Sequence, residues 1–196
     1  MKDIDRYEIR LSGAGGQGIV LASIILAEAA GISAGYNVSQ TQSYGPEARG
    51  GRCKAEVVIS SRQIDYPKAV QLDMMLAMNQ TSCDAYCFDF KPNGLLLVDS
   101  GLVDQVPTSR VVKLPFTQIA REVAGKDLVA TIVALGALGF FCPLLAPKNL
   151  EAALFARVPP ETREMNSKAL RAGIKAAEEF DLDSLPRSII PDEEEI

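Results

Sequence analysis

Ile9 and Leu11 alternate with polar neighbours across Tyr7–Ser12, and this period of two predicts a first strand. A glycine-rich turn, Gly13–Gly18, separates it from an apolar helix expected over Ile19–Ala30 and ended by Gly31. Asn37–Gln40 predicts a short second strand, Thr41–Gly51 a polar loop, and Ala55–Ser60, with Val57, Val58 and Ile59, a further strand. Asp73–Ala77 and Leu95–Asp99 are short apolar runs of the kind a parallel sheet buries on both sides. Between them Thr81–Phe90 has helical spacing, and the turn Lys91-Pro92-Asn93-Gly94 leads into Leu95. Val111–Leu114 predicts an edge strand. Phe116–Val123, Val129–Phe140, Leu150–Phe155 and Glu161–Glu179 predict helices, and Pro159-Pro160 stops one before the next. Strands alternating with helices in this way predict an α/β fold of three layers, a mostly parallel sheet with helices on both faces.

Leu128–Ala146 carries no charged residue and is nearly long enough to span a bilayer. Gly136, Gly139 and Pro143 interrupt it, so a buried helix covered on several sides is the expectation, with no membrane span. The remaining composition agrees with a folded globular chain. It has 196 residues, 47% apolar and 23% charged, and a formal net charge of -5. Lys and Arg are scattered without aromatic interleaving, which argues against nucleic-acid binding. Met1–Arg10 is charged and lacks the apolar stretch of a signal peptide, so a cytoplasmic location is expected. The tail 186–196 contains the acidic run Asp192–Glu195 and is expected to be solvated and flexible.

Histidine is absent from the whole chain, which removes the usual proton-transfer side chain and the usual nitrogen metal ligand. Cys53, Cys83, Cys87 and Cys142 are too few and too widely spaced for a disulfide framework or a cluster run. Cys83 and Cys87 stand one helical turn apart, and the preferred reading makes them two buried small apolar residues.

Gly13-Ala14-Gly15-Gly16-Gln17-Gly18 satisfies GxGxxG through Gly13, Gly15 and Gly18, between a predicted strand and a predicted helix. That context makes the three-layer fold Rossmann-like. Glycines there let backbone N–H groups and a helix N-terminus approach an anion. The second half of a dinucleotide fingerprint is missing: after Glu28 the next acid is Glu47, and no basic residue lies between Arg10 and Arg49. Gly13, Gly15, Gly16, Gln17 and Gly18 are therefore candidates to cradle a phosphate, to pack closely against a neighbour, or to do both.

The loop Gln40–Arg52 combines rigid punctuation, Gly45-Pro46 and Gly50-Gly51, with Ser43, Tyr44, Glu47, Arg49 and Arg52. It follows a predicted strand, which places it at a carboxyl edge, where open α/β sheets bind ligands or partners. Arg49 is suited to grip a carboxylate or phosphate through two parallel hydrogen bonds, or to pair with Glu47. Ser43, Tyr44, Gly45, Pro46, Glu47, Arg49, Gly50 and Gly51 are the candidate interface or ligand-positioning residues.

These motifs resemble the gamma subunits of the 2-oxoacid:ferredoxin oxidoreductases, the pyruvate, 2-oxoisovalerate and 2-oxoglutarate group. The likeness rests on Gly13–Gly18, on Ser43-Tyr44-Gly45-Pro46-Glu47-Ala48-Arg49-Gly50-Gly51, and on Ala55–Ser60. It continues through Asp73–Ala77 with Asn79, Val133–Leu138 and Asn166–Gly173, so it covers nearly the whole chain. One departure is Ala130-Thr131, where relatives commonly carry an Asn before the apolar segment. The resemblance implies a single gamma-type domain over 1–185 and no catalytic residue or metal on this chain. It implies alpha and beta subunits, and delta where present, that hold thiamine diphosphate, Mg²⁺ and [4Fe–4S] clusters. No cofactor is then held tightly by this chain alone, coenzyme A is a candidate contact, and ferredoxin is the acceptor. The implied reaction is oxidative decarboxylation of a 2-oxoacid with coenzyme A to acyl-CoA and CO₂, with 2-oxoglutarate slightly preferred and the chain inactive by itself. An indolepyruvate or pyruvate oxidoreductase subunit, a free-standing nucleotide-binding module and a purely structural subunit stay open as alternatives.

Overall fold

The computed structural model describes residues 3–45 and 50–187. Its strands are β1 (Tyr7–Ala14), β2 (Asn37–Tyr44), β3 (Arg52–Ser60), β4 (Leu72–Ala77), β5 (Phe90–Asp99) and β6 (Val111–Leu114). Its α-helices are α1 (Ile19–Glu28), α2 (Gln80–Tyr86), α3 (Phe116–Ala124), α4 (Ala130–Phe141), α5 (Pro147–Arg157) and α6 (Arg163–Glu178). The strands form one sheet in the order β2-β3-β1-β4-β5-β6. β1, β4, β5 and β6 run parallel, while β3 is inserted antiparallel between β1 and β2. β2 therefore points the same way as β1, and five strands share one carboxyl edge.

The two faces of the sheet are built differently. Ile9, Leu11, Val57, Met74, Leu76 and Leu97 face a thick layer of α1, α3, α4, α5 and α6. Leu72, Met75, Leu96 and Val98 face a smaller cluster beneath α2 and the loop around Val103. The expected three layers are present, with very unequal outer ones. On β1 and β3 the thin side carries Glu8, Arg10, Ser12 and Glu56, all buried. Arg10 Nε donates to Glu56 Oε1 at 2.8 Å, Arg10 Nη1 donates to Tyr86 O at 3.0 Å, and the guanidinium lies 5.1 Å from the Phe88 ring centroid.

Several expected boundaries move. β2 runs on to Tyr44 and β3 starts at Arg52, because an antiparallel pair continues into the polar segment. The expected turn at Lys91–Gly94 is absorbed into β5 as an irregularity opposite Leu72. A Cβ on Gly94 would meet Leu72 O at 2.7 Å, so that close approach needs glycine. α2 stops at Tyr86, and Asp89 adopts φ +62 before β5 begins. α1 passes into a π-helical turn over Ala29–Ser33 rather than ending at Gly31. The start of the expected tail is held, since Arg110 Nη1 donates to Pro186 O at 2.6 Å; Asp192–Glu195 lie outside the described residues.

α4 explains the uncharged stretch. Its first ten residues, Ala130–Gly139, are buried, because α4 lies in the thick layer against α3, α5 and α6. A helix covered all round has no reason to be amphipathic. Among the described residues no helix is long and apolar enough to cross a membrane. Gly136 backs onto Leu170 O and Gly173 onto Val133 O, so the α4 and α6 backbones touch where neither carries a side chain.

Outer helices are tied by ion pairs: Arg157 grips Glu28 with two nitrogens, and Glu151 accepts from Ser167 Oγ at 2.6 Å and Arg171 Nη2 at 2.9 Å. The hydrogen bond from Arg157 holds the Glu28 carboxyl below its ordinary value, and that from Ser167, then Arg171, does the same for Glu151. A carboxyl depressed by folding contributes stability above its unfolded value of 4.5, and this is lost as pH falls through the folded value. Burial raises Asp73, which acts in the opposite sense as pH rises above 3.8. Melting followed from neutral to acid pH should fall from about pH 4.5 downward. A Glu28→Gln/Glu151→Gln variant should show a flatter acid limb.

Candidate functional site

The glycine turn and the polar loop meet. Because β2 runs parallel to β1 across β3, the loop leaving Tyr44 lies at the same carboxyl edge as Gly13–Gly18. Gly15 N donates to Gly51 O at 2.8 Å, and Gly45 N donates to Arg52 O at 2.7 Å, closing the base of the loop. Gly50 adopts φ +68, a region L side chains rarely enter. Ser43 and Tyr44 are exposed at the end of β2. Pro46, Glu47 and Arg49 lie outside the described residues.

Within the turn the glycines do separate jobs. Gly13 is still in β1, and a Cβ there would lie 2.6 Å from Gln17 Oε1. Gly16 and Gly18 take φ +92 and +82, which turns the chain into α1. Gln17 folds back over the turn: its Oε1 accepts from Ala14 N at 2.6 Å and from Asn79 Nδ2 at 3.2 Å. Gln17 O accepts from Thr131 Oγ1 at 2.5 Å, so α4 clamps the turn from the other side. Asn79 also caps α2, accepting from Ser82 N at 2.8 Å.

This wiring decides what the turn offers an anion. The amides of Ala14, Gly15 and Gln17 already donate within the protein. The first helical bond of α1 is Ala22 N to Gly18 O, so the amides before Ala22 form the donor-rich end of the helix. Gly18 brings no capping side chain, and the first turn holds no acid. Gly16 and Gly18 supply the positive-φ turn, and the first turn of α1 is left as a donor-rich end beside it.

Three clefts surround this point. One of about 230 Å³ is lined by Gly13, Ala14, Gly50, Gly51, Arg52 and Asn79. A second, of about 240 Å³, is apolar and runs along Gly18, Leu21, Leu128, Ile132, Val158 and Met165. A third, of about 260 Å³, reaches from Gly16 to Leu102, Thr117, Arg121 and Asp127. Arg121 holds the Asp127 carboxyl below its usual range through hydrogen bonds of 2.5 and 2.8 Å. Exposed Leu21 and Leu128 mark the rim. Asp99, fully buried at the end of β5, steadies the floor by accepting from Gly101 N, Thr117 N and Thr117 Oγ1.

A dinucleotide site of the usual βαβ kind does not fit this topology. There the strand after the first helix lies beside the first strand and presents an acid to the ribose. Here β3 separates β2 from β1, and β2 ends in Ser43 and Tyr44. Asn79 and Thr131 enter the site from elements far along the chain. Only the resemblance at Asn79, and the departure at Ala130-Thr131, pointed toward them.

Comparison with known proteins gives the following likenesses. The family described as pyruvate ferredoxin/flavodoxin oxidoreductase matches residues 8–176. The 2-oxoglutarate synthase subunit KorC of Methanocaldococcus jannaschii is 46% identical over 89% of this chain and 96% of its own. The crystal structure of a keto/oxoacid ferredoxin oxidoreductase gamma subunit from Geobacter sulfurreducens PCA superposes with TM-score 0.81 at 43% identity, covering 89% of this chain and 97% of that one. A 2-oxoglutarate:ferredoxin oxidoreductase from Magnetococcus marinus, with 2-oxoglutarate, coenzyme A and succinyl-CoA bound, has TM-score 0.78 at 24% identity. There the shared fold covers 96% of this chain and 33% of the longer one.

Proposed function

Since this chain belongs to the pyruvate ferredoxin/flavodoxin oxidoreductase family, we propose that it is the non-redox gamma subunit of a thiamine-diphosphate-dependent 2-oxoacid:ferredoxin oxidoreductase. The 46% identity to a 2-oxoglutarate synthase subunit favours 2-oxoglutarate as substrate. The complex would oxidatively decarboxylate it with coenzyme A, giving succinyl-CoA, CO₂ and reduced ferredoxin in the cytoplasm. Alpha and beta subunits, with delta where present, complete the enzyme, and the gamma chain alone is inactive. That the same fold forms a third of a longer oxidoreductase chain supports a role beside larger partners.

Thiamine diphosphate with Mg²⁺ and the [4Fe–4S] clusters belong, in this reading, to the partner subunits. Among the described residues no three His, Cys, Asp or Glu side chains converge. The thiamine ylid would supply the carbon chemistry from the partner side. This chain would bind and position. The first turn of α1 receives a coenzyme A phosphate, the loop 43–52 docks against the catalytic subunits, and exposed Leu21 and Leu128 extend that contact. The observation that carries this reading is the Gly15–Gly51 hydrogen bond, which makes turn and loop one surface.

Arg49→Ala tests it. The isolated variant should melt with the wild type. In the assembled enzyme it should either weaken assembly or raise the KM for coenzyme A about tenfold or more, the worth of a lost charge-assisted contact. Normal assembly with unchanged coenzyme A kinetics would defeat the proposal.

A further inference from the structure

The thin side of the sheet holds a pair of thiols that neither the turn nor the loop uses. Cys83 Sγ and Cys87 Sγ lie 3.2 Å apart, and either can donate to the other. Cys83 is buried inside α2, whereas Cys87 is partly exposed at its C-cap, with φ -82 and ψ 69 outside helical geometry. The two residues that flank Cys87 seal the charged pair beneath: Tyr86 O accepts from Arg10, and the Phe88 ring covers the same guanidinium. We propose that Cys83 and Cys87 form an oxidation site, a dithiol that closes reversibly to an intrachain disulfide and in closing shifts the cover over Arg10 and Glu56.

The chemistry balances with a peroxide as oxidant. Cys83, the more acidic thiol, releases its proton to solvent; Cys87 passes its own along the S–H···S contact to the Cys83 sulfur, and the Cys87 thiolate so formed attacks one peroxide oxygen. The O–O bond breaks, hydroxide leaves, and sulfur, having given up two electrons, becomes a sulfenic acid. Cys83 then gives up a proton and attacks that sulfur; the S–S bond forms and the hydroxyl departs as water. Two thiols and one peroxide yield one disulfide and two waters. A thiol donor later returns the two electrons and two protons.

The surroundings select this pair over the other two cysteines. Burial pushes the Cys53 thiol up and the Cys142 thiol up to about 11. Cys83 is instead held below the ordinary thiol value, first by the hydrogen bond from Cys87 and further by Lys113. The same bond pushes Cys87 up, so of the two thiols Cys83 is the one more readily deprotonated.

Closure must also deform the helix end. Side chains one helical turn apart have Cβ atoms about 5–6 Å apart, whereas a disulfide needs about 3.5–4.5 Å. Drawing Cys87 inward works against the Cys87 N to Cys83 O bond of 3.0 Å and moves Tyr86 and Phe88. A bond made under that strain is easily reduced.

The full chain is treated with hydrogen peroxide, and separately with diamide, then alkylated and mapped by mass spectrometry. The expected product has lost two hydrogens and two of its four alkylatable thiols, both on the peptide carrying Cys83 and Cys87, and dithiothreitol restores them. Cys83→Ser should lose the disulfide and leave a sulfenic acid at Cys87 that dimedone traps. Amide exchange across residues 79–90 should rise in the oxidised chain and return on reduction. Four thiols still alkylatable after oxidant, or chains joined to one another, would overturn the assignment. Unchanged exchange would overturn the coupling to Arg10.

Discussion

Glu56→Ala should remove about 3–5 kcal/mol of stability, because it leaves the Arg10 guanidinium buried without its counter-charge. Arg10 and Glu56 are 3% and 4% exposed, so water cannot take over the lost bond. Lys54 Nζ also donates to Glu56 Oε1, at 3.1 Å, and loses its partner in the same variant. Replacing both partners by apolar residues of similar volume, Arg10→Met/Glu56→Leu, should cost far less, since no charge is then stranded. Urea unfolding of the wild type, the singles and the double gives the coupling. If Glu56→Ala is no worse than the double, the pair is not what holds this face of the sheet.

Gly173→Ala should be nearly as damaging. The added methyl would overlap the Val133 carbonyl, and backbone cannot swing aside as a side chain can. Overpacking of this kind costs about 3 kcal/mol, which lowers the melting temperature of a chain this size by roughly 6–12 °C. Gly101→Ala is the control, for there a Cβ meets only Asp99 Oδ1 at 3.5 Å, an ordinary contact. Equal melting of the two variants would show that α4 and α6 can part without loss.

How far the fold was legible depends on what each residue faces. β1 announces itself because apolar Ile9 and Leu11 alternate with polar residues, and β4 and the Leu95–Asp99 half of β5 because both of their faces are buried and read as apolar runs. Thr41–Tyr44 hides as strand because β2 is an edge, where polar residues on both faces erase the period of two. The antiparallel place of β3 could not be read at all: alternation in Ala55–Ser60 reports a half-buried strand and says nothing of its neighbour's direction. In the site, the glycine turn and the polar loop were both visible as motifs. Their union through Gly15 and Gly51 was not, since it depends on β2 and β1 sharing a carboxyl edge. Gln17 stood in the motif, yet its role as a plug came from Asn79 and Thr131, which reach it only after the chain has folded.

The all-round burial of α4 has a consequence for the order in which the chain is made. Its uncharged surface leaves the ribosome before α6, the helix that covers it through Gly136 and Gly173. Until α6 arrives, the newly made chain displays its greasiest segment to the cell. Synthesis that stalls between Phe141 and Arg163 therefore yields a sticky fragment, and the arrival of α6 is what covers it.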